Sequence, residues 1–481
     1  MRCIMTEANR LSVLDQLIAE SWKSSTLDAL LAFVRLQSKS PAFDRDWEEH
    51  GMLKAALVAA ARFGRERFPG ATFEILEEPG RTPCLFFEIE GTEGRNASSA
   101  LFYGHLDKQP ESTGWASGRS AFIPSIEDGR LYGRGAADDG YSVYSTLTAL
   151  AALDEAGISR PRCYGIFETC EETGHEDLSH WLDRLRERCR NVRLLTVLDS
   201  TAGDYERLWV TTSFRGLLGA TLTVRVLKNG VHSGNASGVV PDSFMIARRL
   251  LARVEDSATG SILLKEFHTE VPGERLLQLE KTAEILADQY KTEFPWACTP
   301  PCARAGNTRD ILKLRSWTPQ LAVIGAEGLP SIPNAGNVLR PCTSLRLSFR
   351  IPPHVDGAKA KRALEEKILA NPPFGAKVEL TDFVIADGWD AKPETDWFRT
   401  SADKVSTEIF GKRAAYLSDG ASIPIMNRFE ELFPDAQFFI TGVLGPESNA
   451  HGPNEMLHLP YVEKLTRAVA RIVSQMPGER P

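Results

Sequence analysis

The chain has 481 residues, which is too long for one ordinary hydrophobic core and predicts two or more domains. Its composition, 42% hydrophobic and 25% charged residues, is that of a globular protein, and its formal net charge of −8 argues against nucleic acid or an anionic membrane as a partner. The N-terminal residues lack the apolar core of a signal peptide and no window has the length of a transmembrane helix, so we expect a cytoplasmic protein.

The first third of the chain alternates strand and helix patterns. Apolar runs predict strands in "SALFYGHLD", "RCYGIFE" and "NVRLLTVLDS". Helical spacing of apolar residues predicts helices in "YSVYSTLTALAALDEAG", which closes on Gly157, and in "EDLSHWLDRLRERC". This alternation indicates βαβ units and a largely parallel sheet.

Near residue 213 the pattern changes to that of an antiparallel sheet. Strands are predicted in "GLLGATLTVRVL", "QLAVIGAEG", "TSLRLSFRI" and "AKVELTDFVI", and helices in "PDSFMIARRLLARVE" and "AKAKRALEEKILA". A polar, proline-bearing stretch up to about residue 318 separates the first helix from the second strand. This set predicts an α+β domain with its own sheet.

From about residue 389 the alternation of strands and helices returns. Helices are predicted in "TDWFRTSADKVSTEIF", "ASIPIMNRFEEL" and "PYVEKLTRAVARIVSQM", and strands in "AAYLS" and "AQFFITGV". We therefore predict the α/β class, with a mostly parallel sheet flanked by helices and formed by residues 1–212 and 389–481. Residues 213–388 are predicted to form the inserted α+β domain.

The eight cysteines are scattered, and most lie in apolar runs, which favours buried thiols in a reducing compartment. Cys298 and Cys302 resemble half of a zinc site, but no second half lies near them. We therefore expect free thiols rather than a thiolate metal site.

Several of the strand-like runs end on side chains that bind metals. These side chains are His105, Asp107, Glu171, Glu172, Asp199 and, after the last predicted strand, His451. Each motif alone also fits a turn, an N-cap or a solvated acid pair, but ligands gather beyond the carboxyl ends of parallel strands, where these groups converge. Such a cluster of carboxylates needs cations, because each carboxylate raises the pKa of its neighbours. Imidazole and carboxylate ligands suit zinc, and also manganese or cobalt, and this many candidates indicate two metals that share a bridging carboxylate.

An ordered set of motifs resembles a known family. The stretches "GHLDKQP", "GRGAADD", "EETG", "VLDS", "VHSG" and "AHGPNE" resemble the M20 family of di-zinc metallopeptidases, over about residues 26–475. That family includes carnosinase-type dipeptidases, aminoacylase, glutamate carboxypeptidase and succinyl-diaminopimelate desuccinylase. The predicted insertion at 213–388 is similar to the family's lid and dimerisation domain, and its length is most similar to that of the carnosinase-type branch.

The resemblance implies two divalent metal ions, with zinc first and manganese or cobalt as alternatives. His105 of "GHLD" would bind one ion, and Asp199 of "VLDS" would complete its set. Asp138 of "GRGAADD" would bridge both ions, and Glu172 would bind the second ion together with His451 of "AHGPNE". The resemblance also implies a cis peptide bond after Asp138.

The resemblance also implies the residues that carry out the reaction. Glu171 would be the general base, which takes a proton from a water molecule between the ions and passes it to the leaving nitrogen. Asp107 would orient His105. His232 of "VHSG" would reach the active site of a partner subunit and stabilise the oxyanion, which implies a homodimer formed through the lid.

Two lid side chains resemble substrate-binding residues of the family. Arg350 in "SFRIPP" would bind the substrate carboxylate, with Arg340 and Arg346 as competing candidates. Asn337 in "AGNVLRP" resembles a lid asparagine near the substrate.

The loop "SDGASIP" resembles the family's "GGS" loop, in which Gly420 and Ser422 would hold a terminal carboxylate. Ala421 stands there in place of a glycine. A second departure is Gly140, which follows the aspartate pair where many members have lysine. The missing charge puts in doubt any substrate preference taken over from relatives with that lysine. Asp139, the second aspartate of the pair, is interpreted as a supporting or structural group.

The motifs together predict a metal-dependent hydrolase that cleaves an amide bond in a small peptide, in the manner of a dipeptidase or carboxypeptidase. The alternative is an N-acyl-amino-acid amidohydrolase of the aminoacylase, deacylase or desuccinylase kind. A hydrolase of a non-peptide amide and a non-catalytic binding protein are further alternatives. The complete set of ligand residues, with the base Glu171, argues against the last of these.

Overall fold

A computed structural model describes residues 6–175 and 177–478 of the chain. The strands, in chain order, are β1 (Thr72–Glu78), β2 (Arg81–Ile89), β3 (Ser99–His105), β4 (Ser125–Glu127), β5 (Arg130–Tyr132), β6 (Arg162–Glu168), β7 (Val192–Val197), β8 (Trp209–Phe214), β9 (Gly216–Arg225), β10 (Val231–His232), β11 (Gln320–Glu327), β12 (Val338–Leu339), β13 (Cys342–Ile351), β14 (Lys377–Ala386), β15 (Trp389–Asp390), β16 (Ala415–Asp419), β17 (Gln437–Ile440) and β18 (Met456–His458).

The helices, in chain order, are α1 (Glu7–Trp22), α2 (Ser25–Val34), α3 (Trp47–His50), α4 (Met52–Arg67), α5 (Tyr141–Glu155), α6 (Leu178–Leu185), α7 (Ser233–Ala236), α8 (Ser243–Leu251), α9 (Gly273–Leu286), α10 (Tyr290–Glu293), α11 (Thr308–Ser316), α12 (Gly357–Leu369), α13 (Asp396–Phe410), α14 (Ile425–Leu432) and α15 (Leu459–Ser474). Among the described residues, none of these helices is long and apolar enough to cross a membrane.

Six strands form the central sheet, in the spatial order β1, β2, β6, β3, β7, β17. β3 pairs in parallel with β6 and β7, and β7 pairs in parallel with β17, whereas β1 and β2 form an antiparallel hairpin at one edge. Every residue of β3 is buried, because α5 and α15 cover one face of the sheet and α6 and α14 cover the other. The predicted α/β class with a largely parallel sheet is confirmed.

A second sheet of four antiparallel strands has the order β11, β13, β9, β14. Along β13 buried residues alternate with half-buried ones, because one face of this sheet packs against α8 and α12. The predicted antiparallel α+β lid is therefore confirmed. The boundaries at residues 212 and 388 stay predictions. Two smaller three-stranded sheets, β15-β8-β16 and β18-β5-β4, and the two-stranded ribbon β10-β12 complete the strand pairing.

Local signals explain two helix ends. α5 ends before Gly157, whose φ of 64° is a left-handed conformation that glycine adopts readily. α14 begins at Ile425, later than predicted from "ASIPIMNRFEEL", because residues before Pro424 are disfavoured in the helical conformation.

The polar stretch before residue 318, for which no element was predicted, contains α9, α10 and α11. Leu279 of α9 and Leu312 of α11 pack against Trp317, and Thr282 of α9 donates a hydrogen bond to the carbonyl oxygen of Tyr416 in β16 at 2.6 Å. This part of the inserted segment therefore packs against the sheet that contains β16. In α9 the polar Arg275 and Thr282 are buried whereas Leu277 is 59% exposed, so the spacing of apolar residues does not mark the buried face of this helix.

Cys298 and Cys302 form a disulfide, so the expectation of free thiols is wrong for this pair. The remaining described cysteines are free, and all of them except Cys342 are buried.

Candidate metal centre

Six of the predicted side chains meet beyond the carboxyl edge of the central sheet. They are His105, Asp138, Glu171, Glu172, Asp199 and His451. β3, β6 and β7 are parallel, so their ends lie side by side, and the residues at or just after these ends form most of the cluster. Asp138 comes from the turn before α5, and His451 comes from the loop after β17.

The donor atoms of the cluster form two groups, each with one imidazole nitrogen and two carboxylate oxygens within 4.8 Å of one another. The first group is His105, Glu171 and Asp199. The second group is Asp138, Glu172 and His451. Each group therefore gathers three donor atoms, although that of Glu171 belongs to the predicted base rather than to a predicted ligand.

Asp138 joins the two groups. Its Oδ1 lies 3.2 Å from Nε2 of His105, and its Oδ2 lies 3.0 Å from Nε2 of His451. Nε2 of His451 is also 3.1 Å from Oε2 of Glu172, and Nε2 of His105 is 3.7 Å from Oδ2 of Asp199. A carboxylate with one oxygen directed at each group has the geometry of a bridging ligand in a two-metal site.

The electrostatics of the cluster require positive charge. Burial and the charge of Asp138 raise the pKa of Asp199 to about 7, and burial raises the pKa of Glu171 to about 8. Burial lowers the pKa of His451, but hydrogen bonds to Asp138 and Glu172 raise it to about 11. These groups therefore hold protons that a cation would displace. Nitrogen and carboxylate donors without thiolate fit two divalent ions such as zinc, manganese or cobalt.

Asp107 and Gln109 contact residues of the cluster and help to fix their positions. Oδ1 of Asp107 lies 3.4 Å from Nδ1 of His105. Its two oxygens also accept the backbone N–H groups of Glu171 and Glu172, at 3.2 and 3.1 Å. Gln109, which was not predicted, donates its backbone N–H and its side-chain amide to Glu172, at 3.1 and 2.6 Å. Its only sequence signal was its place in "GHLDKQP".

A buried ion pair between Arg134 and Glu455 connects two loops of the site, and sequence analysis missed it. Nη1 of Arg134 donates to Oε2 of Glu455 at 2.8 Å, and the two side chains are 1% and 0% exposed. Nη2 of Arg134 donates to the carbonyl oxygens of His451 and Gly452, at 3.0 and 2.9 Å. Glu455 in turn accepts the backbone N–H of Asp138 at 3.3 Å. The pair therefore holds the loop of His451 against the turn of Asp138, and each partner lies in a quoted motif.

The peptide bond between Asp138 and Asp139 is cis, as the resemblance predicts. Asp139 is fully buried, and its Oδ2 accepts the backbone N–H of His105 at 3.3 Å. Gly140 has no room for a side chain, because a Cβ there would lie 2.0 Å from Cε1 of Phe33. The ring of Phe33 therefore fills the space beside this position.

A buried ammonium group lies close to the glycine that follows the aspartate pair. Nζ of Lys108 donates to the carbonyl oxygens of Phe33, Val34 and Leu36, at 2.9, 3.3 and 2.7 Å, and lies 4.0 Å from the centroid of the Phe33 ring. The carbonyls of Phe33 and Val34 lie at the C-terminal end of α2 and that of Leu36 follows the helix, so the amine interacts with the negative end of a helix dipole. Gly135 makes room for it, since a Cβ there would lie 2.5 Å from Cε of Lys108. The amine of Lys108 thus lies in this region, but it faces α2 rather than the metal cluster.

Arg350, rather than its neighbours, reaches the predicted carboxylate-binding loop. Its Nη1 donates to Oγ of Ser422 at 2.9 Å. Arg346 lies on the same strand but donates to the carbonyl oxygen of Asp382 and to Thr221, within the lid sheet. Arg340 directly follows β12.

Arg215, which sequence analysis did not single out, fixes the same loop. Its backbone N–H donates to the carbonyl oxygen of Ala421 at 2.9 Å, and its Nε donates to that of Gly420 at 3.0 Å. Burial and the charge of Arg350 lower the pKa of Arg215 to about 10. Two guanidinium groups therefore adjoin the loop, which suits an anionic ligand group.

His232 and Asn337 do not join the cluster of their own chain. His232 pairs with Val338 in the ribbon β10-β12, and the backbone oxygen of Asn337 accepts the N–H of Ser233 at 2.9 Å. Both residues are exposed. The roles predicted for them require a second chain or a movement of the lid.

A parallel α/β sheet with two histidine–carboxylate donor groups at its carboxyl edge defines a metal-dependent hydrolase. Residues 101–475 match the sequence profile of Peptidase family M20/M25/M40, and the chain belongs to that family. The resemblance seen in the motifs is therefore confirmed.

Several similar proteins carry the name dipeptidase. The cysteinylglycine-S-conjugate dipeptidase of Corynebacterium striatum is 27% identical over 388 residues, which cover 79% of this chain and 81% of that protein. The Beta-Ala-His dipeptidase of Homo sapiens is 23% identical over 419 residues, which cover 84% and 78%. The solved structure of human carnosine dipeptidase 1 has a TM-score of 0.78 at 20% identity, covering 97% of this chain and 98% of that one, which shows a common fold.

Proposed function

We propose that this protein is a dipeptidase that depends on two divalent ions, with zinc as the native metal. The observation that carries the proposal is Asp138, whose two oxygens face the histidines of two adjacent donor groups. In this assignment His105 and Asp199 would hold one ion, Glu172 and His451 would hold the other, and Asp138 would be a ligand shared by both. The ions, when bound, supply a Lewis acid that acidifies a water molecule and polarises the peptide carbonyl.

Glu171 acts as the general base in this proposal. Its Oε2 lies 3.8 Å from Nε2 of His105, so this oxygen faces the first donor group. It accepts a proton from the attacking water and gives the same proton to the leaving nitrogen, so that the enzyme returns to its starting state.

Arg350 and Ser422 bind the terminal carboxylate of the substrate in this proposal, with the backbone of Gly420 beside them. Their hydrogen bond of 2.9 Å and the adjacent Arg215 support an anionic group at this loop. The names of the relatives, which are dipeptidases, favour a dipeptide over an N-acyl amino acid.

We further propose a homodimer formed through the lid. β11 is an edge strand of the lid sheet, and its Val323 and Ile324 are 47% and 67% exposed, so a second copy would cover an apolar edge. His232, which is exposed in its own chain, would then reach the partner's site and stabilise the oxyanion. Sedimentation of the wild-type protein and of Ile324→Lys measures the association, and a fully active wild-type monomer contradicts it.

The substitution Glu171→Gln tests the catalytic assignment. It removes the base and keeps the side-chain shape, so we expect unchanged metal content and a loss of dipeptide hydrolysis of roughly 10²–10⁴-fold, the usual contribution of a general acid–base group. Glu77→Gln, at an exposed ion pair with Lys54, is the matched control.

Three outcomes would each remove one part of the proposal. Unchanged turnover in Glu171→Gln removes its role as the base. Hydrolysis of N-acetyl amino acids without hydrolysis of Cys-Gly or Beta-Ala-His dipeptides favours the amidohydrolase alternative. Turnover that persists after a chelator has stripped the bound metal removes the dependence on metal.

A further inference from the structure

A buried histidine, His175, lies next to Glu171 and directly follows the "EETG" motif. It is 5% exposed, and its Nδ1 lies 2.7 Å from Oε1 of Glu168 and 3.3 Å from the hydroxyl of Tyr103. Its Nε2 points the other way and lies 3.4 Å from Oε1 of Glu171. That contact is at ion-pair distance but is not aligned as a hydrogen bond, and Nε2 has no hydrogen-bond partner among the described residues.

Glu168 fixes the orientation of the imidazole ring. It is the last residue of β6, is 1% exposed, and accepts hydrogen bonds from the Tyr103 hydroxyl at 2.6 Å and from the Cys170 thiol at 3.2 Å. The backbone of His175 has a φ of 59°, a left-handed conformation that is uncommon for residues other than glycine. The backbone N–H of His175 donates to the carbonyl oxygen of Cys170 at 3.0 Å and Glu168 holds Nδ1, so the ring presents Nε2 to Glu171.

A histidine that served only to fill the core would leave Nε2 buried and unpaired, which is costly in a protein interior. Glu171 offers the acceptor that removes this cost. Nδ1 faces a carboxylate oxygen of Glu168 and Nε2 faces one of Glu171, and an ionised carboxylate only accepts hydrogen bonds, so both ring nitrogens carry hydrogen in this arrangement. Catalytic hydrogen bonds are often long without substrate and shorten when it binds.

We propose that His175 is a positioning residue for Glu171, in which Nε2–H donates to Oε1 and leaves Oε2 directed at His105 in the first donor group. The inference rests on the proposed role of Glu171 as the general base. His175 neither gains nor loses a proton in this arrangement, because the proton of the attacking water passes through Oε2 of Glu171 alone. The two oxygens of the base therefore have separate tasks, one of orientation and one of proton transfer.

Steady-state kinetics of metal-loaded His175→Ala and His175→Gln test the proposal. We expect His175→Ala to lower kcat by about 10–100-fold, the usual effect of removing a group that orients a functional side chain, with KM and metal content unchanged. His175→Gln keeps a side-chain N–H donor and recovers part of kcat. The matched control is His180→Gln, because His180 makes its ion pair with Glu78 at the surface and should not affect kcat.

A double-mutant cycle separates positioning from a purely structural role. In a Glu171→Gln background, His175→Ala should cause no further loss of kcat, because its effect passes through Glu171. An equal loss in both backgrounds overturns the proposal. A wild-type kcat in His175→Ala overturns it as well.

Proton NMR of the metal-loaded protein gives a readout that does not depend on dipeptide hydrolysis. A low-field imidazole N–H signal that disappears in His175→Gln belongs to His175, and we expect it to shift in Glu171→Gln. An unchanged signal overturns the proposal, even where His175→Ala does not fold. A wild-type protein that hydrolyses no dipeptide disproves the proposed function alone, and the signal still decides whether His175 binds Glu171.

Discussion

The substitution Glu455→Gln removes one charge from the buried ion pair that connects the loops of the site. Oε1 of Glu455 accepts the backbone N–H groups of Ala137 and Asp138 at 3.1 and 3.3 Å, and Oε2 accepts Arg134 at 2.8 Å and the N–H of Gly135 at 3.2 Å. A glutamine places an NH₂ group at one of these two positions. In either orientation the new NH₂ group, itself a donor, faces two N–H donors. The guanidinium group of Arg134 also stays buried without its counter-charge.

The magnitude follows from this geometry. Breaking a buried ion pair by removing one partner costs about 3–5 kcal/mol, because the other charge is left uncompensated. Arg134 also holds the backbone of His451, and Glu455 holds the backbone of Asp138, so the change loosens two of the proposed ligands. We expect metal affinity to fall by about 10–100-fold, the usual cost of losing a group that orients a ligand.

Urea unfolding and competition for metal with a chelator measure the two effects of Glu455→Gln. The matched control is Asp390→Asn, which breaks the buried pair of Asp390 with Arg275, 2.7 Å apart and located between β15 and α9. We expect the control to lose stability and to keep its metal affinity. If Glu455→Gln keeps its metal against the chelator as well as the wild type does, the reasoning is refuted. It is also refuted if Asp390→Asn loses as much metal affinity as Glu455→Gln.

Two further predictions concern the surroundings of the aspartate pair. Gly140→Ala places a Cβ 2.0 Å from Phe33 and 2.6 Å from the carbonyl oxygen of Gly135, so it should destabilise the protein by about 1–3 kcal/mol in urea unfolding. Gly70→Ala, where a Cβ meets nothing within 4 Å, should not destabilise it, and equal effects of the two changes would contradict the close packing. Burial lowers the pKa of Lys108 from 10.5 to about 7, so the folded chain binds fewer protons than the unfolded chain between these values. The free energy of unfolding of the wild type, taken relative to that of Lys108→Met, should therefore rise with pH through this window, and a difference that stays constant with pH would contradict the assignment.

Local sequence was enough to predict most elements of the central domain and the residue types of the site. The apolar run of β3 predicts a buried strand, whereas His105 at its end is a predicted ligand only together with the other motifs of the set. Gly157 marks the end of α5 through its own backbone preference. Such signals depend on neighbours within a few positions of the chain, so they can be recognised without knowledge of the fold.

The supporting contacts of the site became visible only in the tertiary structure. Arg134 and Glu455 lie 321 positions apart, and nothing near either residue shows that the other is its partner. The same holds for Phe33, whose ring fills the space beside Gly140, and for His175, whose sequence position suggests only a turn. These contacts arise when packing brings distant segments together, and their energies depend on burial and on the distance between charges, neither of which a local pattern contains.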